Sequence, residues 1–162
     1  MIYLDYSANT PVDPRVLEVY CRTEQNFIGN PNSTHCAGQA ARQEMDRVTG
    51  LIAAQLGVLP EEIIYTSGAT EANNLALKGT ARAARHVGRH IISTPLEHSS
   101  VGATLTALQQ QGYEIDLLDI GRDGRVDLDQ LRELMRDDTI LVAVCAVDSE
   151  LGTIQPLSLI HI

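Results

Sequence analysis

The chain has 162 residues, 44% of them hydrophobic, which is enough to build a folded domain with its own core. Twelve lysines and arginines against 21 aspartates and glutamates give a net charge of −9, and the basic residues form no runs, so we expect no nucleic-acid partner. The longest apolar stretch, residues 139–147, is too short to cross a bilayer, and the N-terminus lacks the pattern of a secretory signal. We therefore expect a cytoplasmic protein with no membrane partner.

The cysteines do not form a recognisable framework. Cys21, Cys36 and Cys145 are odd in number and lack the short paired spacing of a zinc or redox site. The sequence therefore predicts neither disulfides nor a metal site. Cys145 lies in an apolar run, where a thiol is usually a small core residue.

Two helices are predicted in the first third of the chain. Asp13 followed by Pro14 is typical of a helix start, and that helix should end before residues 29–32. A longer helix is predicted over residues 35–56, ending at Gly57.

From residue 62 onward, short β-rich runs alternate with helical segments, the signature of parallel βαβ units. The sequence therefore predicts an α/β fold with a mainly parallel sheet and flanking helices, and the apolar run 140–144 suits a strand buried on both faces. The predicted strands are residues 63–66, 90–94, 114–118 and 139–147, and the predicted intervening helices are 71–86, 99–111 and 127–135.

The turn over residues 66–71 has the composition of an anion site. It reads Thr-Ser-Gly-Ala-Thr-Glu between a predicted strand and a helix, where backbone N–H groups, hydroxyls and the helix dipole favour a phosphate. The turn has neither the three-glycine dinucleotide pattern nor a Walker lysine, so an ordinary capped turn stays open as an interpretation.

Two further loops are expected at the same edge of the sheet. His98 follows the second predicted strand and residues 148–153 follow the fourth, and the carboxyl ends of parallel strands meet at one edge. We therefore expect His98 to lie near the 66–71 turn. Taken alone, a histidine such as His98 is more often a helix cap or a surface residue than a ligand.

Taken together, five segments form a specific pattern. Their order and spacing resemble the cysteine desulfurases of the IscS/NifS branch of the class V aminotransferases, which are pyridoxal phosphate (PLP) enzymes of fold type I. The resemblance covers residues 2–156. The segments are Tyr-Leu-Asp-Tyr-Ser-Ala-Asn-Thr-Pro at 3–11, Gly-Asn-Pro at 29–31, the turn at 66–71, Glu-His at 97–98, and Glu-Leu-Gly-Thr at 150–153.

The resemblance implies a site for each part of the cofactor. Ala69 and Thr70 match the residues that bind the PLP phosphate, and His98 matches the histidine that stacks on the pyridine ring and can exchange protons with the substrate. Ser149 stands where the family usually has an asparagine that bonds to the ring hydroxyl, and Asp148 replaces the asparagine before it.

The implied activity converts L-cysteine to L-alanine and passes the sulfur to an enzyme cysteine as a persulfide. The resemblance also implies a homodimer, and a sulfur acceptor or iron–sulfur scaffold protein as partner. The change at Asp148 and Ser149 leaves a selenocysteine lyase or an aminotransferase-like member open. A noncatalytic phosphate- or nucleotide-binding α/β module is the alternative from another class.

The sequence lacks several residues that the resemblance leads us to expect. The family has an aspartate at the pyridine nitrogen, a lysine bonded to the cofactor, a mobile-loop cysteine and a substrate arginine further along. The one lysine here, Lys78, follows the phosphate turn and reads as a helix-surface residue. We therefore expect residues 1–156 to be an N-terminal segment plus the front part of the PLP-binding large domain, inactive alone.

The last six residues, 157–162, depart from the family pattern. Their sequence, Leu-Ser-Leu-Ile-His-Ile, is the in-frame translation of the end of a common transposon-based library adapter. We expect this tail to be non-native.

Overall fold

The structure is a computed structural model that describes residues 2–160. It divides into two units, with the boundary between Tyr65 and Thr66. None of the helices that it describes combines the length and the apolarity needed to cross a membrane. In chain order the elements are α1 (Pro14–Asn26), α2 (Cys36–Leu56), a 3₁₀ turn (Pro60–Glu62), α3 (Ala69–Ala83), β1 (His90–Ser93), α4 (Ser99–Gln109), β2 (Glu114–Leu117), α5 (Leu128–Leu134), β3 (Thr139–Val142) and α6 (Leu157–Ile160).

The first unit is helical, and local signals set its helix ends. The Asp13 carboxylate accepts the Arg15 N–H at 2.8 Å and caps α1. Gly57, in the left-handed conformation with φ of 69°, ends α2. Both predicted helices are confirmed, except that His35 is the N-cap of α2 and not part of it.

The second unit is built on a parallel three-stranded sheet with the order β2-β1-β3. Ile91 and Ile92 on the central strand are fully buried on opposite faces, because successive strand residues alternate. Ile91 packs with Leu77 of α3 and Leu105 of α4, whereas Ile92 packs with Leu131 of α5. Helices therefore cover both faces, and the predicted α/β class is confirmed.

Of the four predicted strands, the first does not form and the last is too long. Residues 63–66 form no strand, since a strand requires a hydrogen-bonded neighbour and this segment has none among the described residues. The last strand ends at Val142, and residues 140–144 are half-buried. The reason is that β3 lies at an edge of the sheet that the structure describes.

The end of the chain contributes one short helix, α6. The side chain of Ile160 packs against the cluster that contains Ile92 and Leu131. His161 and Ile162 lie outside the described residues, so the expected non-native origin of residues 157–162 stays a prediction.

Candidate functional site

The first turn of α3 presents backbone donors. Gly68 precedes the helix without a side-chain cap, and the first backbone bond of the helix runs from the Ala72 N–H to the Gly68 carbonyl at 3.1 Å. Among residues 2–160, no protein acceptor bonds to the N–H groups of Ala69 and Thr70 or to the Thr70 hydroxyl. Both residues are exposed. Free donors at the positive end of a helix dipole attract an anion.

Ser67, in contrast, is occupied within the turn. Its N–H and its hydroxyl donate to the Glu71 Oε2 at 2.6 and 2.8 Å. These bonds lower the pKa of the Glu71 carboxyl, first through the backbone N–H and then through the hydroxyl. The N–H and the hydroxyl of Ser67 are therefore not free for a phosphate, because Glu71, one turn along, accepts both.

The turn fits a phosphate at Ala69 and Thr70. A Cβ placed on Gly68 would meet no atom within 4 Å, so the space beside the turn is open to a ligand. The donor set of two N–H groups and one hydroxyl is the chemistry that phosphate oxygens accept.

His98 is the N-cap of α4, with an exposed side chain. Its Nδ1 accepts the Ser100 N–H at 3.1 Å and lies 2.8 Å from the Ser100 Oγ. The Asn73 side-chain amide of α3 donates to that same Oγ at 2.9 Å. This bond joins the second turn of α3 to the first turn of α4. The expected position of His98 near the 66–71 turn stays a prediction.

An open cleft of about 980 Å³ is lined by two of the predicted site residues, His98 and Ser149. On α3 its lining begins at Asn73, one turn beyond Ala69, so Ala69 and Thr70 do not line it. The remaining lining comes from α3, from the start of α4, from the segments after β1 and β3, and from β3 itself, and includes Glu97, Leu141, Cys145 and Asp148.

The loop after β3 is shaped by Asp148, which is buried. Its Oδ1 accepts the N–H groups of Glu150 and Leu151 at 3.0 and 2.6 Å, and its own N–H donates to the Thr153 carbonyl. An asparagine oxygen can accept the same bonds, so the replacement at this position preserves the turn. Ser149 is exposed at the tip of the loop.

Glu97 is a residue that the sequence reasoning left without a role. Its Oε1 accepts the Cys145 N–H at 2.6 Å and the Thr94 hydroxyl at 3.1 Å, so it ties the loop after β1 to the segment after β3. The one clue in the sequence was that Glu97 directly precedes His98. The residue that it bonds to, Cys145, lies 48 residues further along the chain.

Cys145 is half-buried in the cleft wall, less enclosed than a core residue. Burial raises the pKa of its thiol, and the charges of Glu97 and Asp148 raise it further.

Lys78 is half-buried on α3, where it donates to the Asn74 side chain at 2.6 Å. No group of three metal-ligating side chains occurs in the part of the chain that the structure describes.

Comparison with known proteins supplies the family. The aminotransferase class-V model matches residues 2–161. The chain is 46% identical to a putative cysteine desulfurase IscS 1 of Bacillus subtilis over 96% of its own length and 41% of that protein. A solved NifS-like protein superposes with a TM-score of 0.93 at 38% identity, over 99% of this chain and 44% of that one.

A second solved relative, SspA in complex with cysteine, is 35% identical with a TM-score of 0.88, over 98% of this chain and 46% of that one. The chain thus spans between 32% and 41% of the length of the curated relatives that it matches. The fold, the ordered motifs and these matches agree, and the chain belongs to the class V aminotransferase family.

Proposed function

We propose that this chain is the part of a cysteine desulfurase that binds the phosphate and one face of the ring of pyridoxal 5′-phosphate. The observation that carries the proposal is a phosphate-compatible turn at Ala69 and Thr70, together with His98 at the start of α4. The Asn73–Ser100 bond joins α4 to α3 one turn beyond the phosphate turn. Family membership supports PLP as the cofactor.

Each predicted residue has a role that its surroundings allow. The N–H groups of Ala69 and Thr70 and the Thr70 hydroxyl donate to the phosphate. The exposed His98 ring would hold the flat face of the pyridine ring, and its Nε2 would exchange a proton with the substrate. The exposed Ser149 hydroxyl bonds to the ring oxygen of the cofactor.

In the proposed reaction, a thiolate of the complete enzyme attacks the sulfur of L-cysteine. The carbon–sulfur bond breaks, L-alanine leaves and the sulfur remains on the thiolate as a persulfide. When bound, the cofactor supplies an electron sink for the charge that develops on the substrate. Cys145 does not supply the thiolate in this proposal, because the resemblance puts the attacking cysteine in a mobile loop further along the family sequence.

The partners in this proposal follow from the same function. They are L-cysteine as substrate, a second copy of the enzyme in a homodimer, and a sulfur acceptor or iron–sulfur scaffold protein, all in the cytoplasm. The homodimer is tested by measuring the size of the complete enzyme in solution. The sulfur acceptor is tested by following labelled sulfur from L-cysteine to a purified scaffold protein.

The phosphate site is tested by titrating the chain with pyridoxal 5′-phosphate, pyridoxal, inorganic phosphate and AMP. We expect the phosphorylated cofactor to bind more tightly than pyridoxal and to shift the amide signals of Ala69 and Thr70. Thr70→Ala should weaken binding by roughly tenfold, the value of one hydrogen bond to a charged group. Thr80→Ala, at the other end of α3, is the matched control.

Equal binding of pyridoxal and pyridoxal phosphate would argue against the phosphate site. Tighter binding of AMP than of pyridoxal phosphate would instead favour the noncatalytic nucleotide-binding module.

The reaction is tested in a hybrid in which residues 2–156 replace the matching segment of the Bacillus subtilis relative, at 46% identity. We expect L-alanine from L-cysteine, and a loss of about 10²-fold in rate for His98→Gln, as for a proton-transferring group. A folded, cofactor-loaded hybrid that releases alanine only from selenocysteine would favour the selenocysteine lyase, and one that transfers amino groups would favour the aminotransferase.

A further inference from the structure

We propose that Asn73 and Ser100 are positioning residues that hold His98 in one ring orientation and one tautomer, with the ring proton on Nε2. The value of this arrangement for a reaction rests on the proposed function. The arrangement itself rests on three hydrogen bonds within the second unit.

The backbone bond favours the tautomer in which Nδ1 is unprotonated. The Ser100 N–H points at the His98 Nδ1 at 3.1 Å, and a backbone N–H can only donate. Nδ1 must therefore offer its lone pair. In the neutral ring the proton then lies on Nε2.

The side-chain bonds run in the same direction. The Asn73 Nδ2 donates to the Ser100 Oγ at 2.9 Å, which leaves the single hydroxyl hydrogen of Ser100 for the His98 Nδ1 at 2.8 Å. Ser100 is 7% exposed and Asn73 is half-buried, so water competes little for these bonds. The donors run from Asn73 through Ser100 to His98.

The other ring nitrogen is left for a ligand. Among residues 2–160, no protein group bonds to the His98 Nε2, while His98 itself lines the cleft. The chain of bonds thus turns an exposed side chain, which would otherwise sample several rotamers, into an oriented N–H donor and a flat surface. Asn73 makes this contact from 27 residues away.

The test uses the 162-residue chain with ¹⁵N-labelled histidine and long-range ¹H–¹⁵N correlation spectra at about pH 8.5, well above the ordinary histidine pKa. Five histidines give signals, and loss of one set in His98→Gln assigns His98. We expect the wild-type His98 to show an unprotonated Nδ1 and a protonated Nε2.

Two substitutions interrupt the chain of donors. Asn73→Asp places a carboxylate that takes the Ser100 hydroxyl hydrogen, and Ser100→Ala removes the hydroxyl. Both leave the Ser100 backbone N–H as the remaining donor to the His98 Nδ1. The Nδ1 and Nε2 shifts of His98 should therefore move part of the way towards each other, the signature of a second tautomer that gains population. Asn74→Ala is the control, since Asn74 bonds to Thr70 and Lys78 on α3 and should leave the shifts unchanged.

A wild-type His98 with a protonated Nδ1 or with averaged shifts would overturn the proposal. So would unchanged shifts in both substituted chains. If either change disrupts the amide spectrum of the fold, Ser100→Cys decides, because a thiol is similar in size but a weak donor. The spectra are recorded without cofactor, so failure of the chain to bind pyridoxal phosphate would count against the proposed function alone.

Discussion

The two ends of the sheet in the second unit each carry a histidine, and the two residues are held differently. At the amino end, His90 is fully buried, with Nδ1 2.7 Å from the Thr139 Oγ1 and Nε2 3.0 Å from the Asp116 carboxylate. Past the carboxyl end, His98 is exposed and bonded through one nitrogen.

The difference teaches how to separate a structural histidine from a candidate functional one. The Asp116 carboxylate can only accept, so the His90 Nε2–H donates to it, and in the neutral ring the His90 Nδ1 accepts the Thr139 hydroxyl. Every polar atom of His90 is used to join β1, β2 and β3. The carboxyl end leaves one polar atom of His98 unused, which is the condition for binding a ligand.

Replacing His90 should have the largest effect on the folded chain. His90→Ala opens a cavity, removes two hydrogen bonds and leaves Thr139 and Asp116 without their partner. We expect the free energy of unfolding to fall by about 3 kcal/mol in urea titrations. His86→Ala, at an exposed position, is the control and should change it by less than about 0.5 kcal/mol. A small loss at His90 would contradict the structural role.

His98→Ala should cost less stability, because it removes an N-cap and not a buried bridge. We expect a loss of about 1 kcal/mol by the same urea titration. Without the His98 ring the Ser100 N–H loses its acceptor, but this N–H lies next to an exposed position and can bond to water instead. A loss as large as that of His90→Ala would mean that the two ends of the sheet do not differ as described.

Glu97→Gln tests the link across the carboxyl end. Removing the carboxylate charge should lower the pKa of the Cys145 thiol, since Glu97 is the second cause of its raised value after burial. The measurement is the pH dependence of alkylation in a chain where the exposed Cys21 and Cys36 are serine. An unchanged profile would show that Glu97 does not act on Cys145.

The smallest expected effect concerns the bond between Glu71 and Ser67 in the phosphate turn. The folded pKa of Glu71 is lowered, so its contribution to stability is present above the unfolded value, about 4.3, and is lost as the pH falls through the folded value. Unfolding of wild type and Glu71→Gln should therefore differ most at neutral pH and converge in acid. A difference that grows in acid would reverse the assigned sign.

The candidate site was predictable where its residues lie close together in sequence. The turn at 66–71 and His98 were proposed from local patterns, and the structure joins α3 to the first turn of α4 through Asn73. Asn73, Ser100 and Glu97 were missed as partners, because their bonds connect segments that only folding brings together.

The sequence by itself determined the helix starts at Asp13 and Asp127 and the helix stop at Gly57, since each depends on a cap within a few residues. Tertiary structure decided which extended segments became strands. Residues 63–66 have the composition of a strand but no hydrogen-bonded neighbour among the described residues, whereas His90–Ser93 lies between two. A helix closes its hydrogen bonds within its own segment, but a strand depends on segments far along the chain.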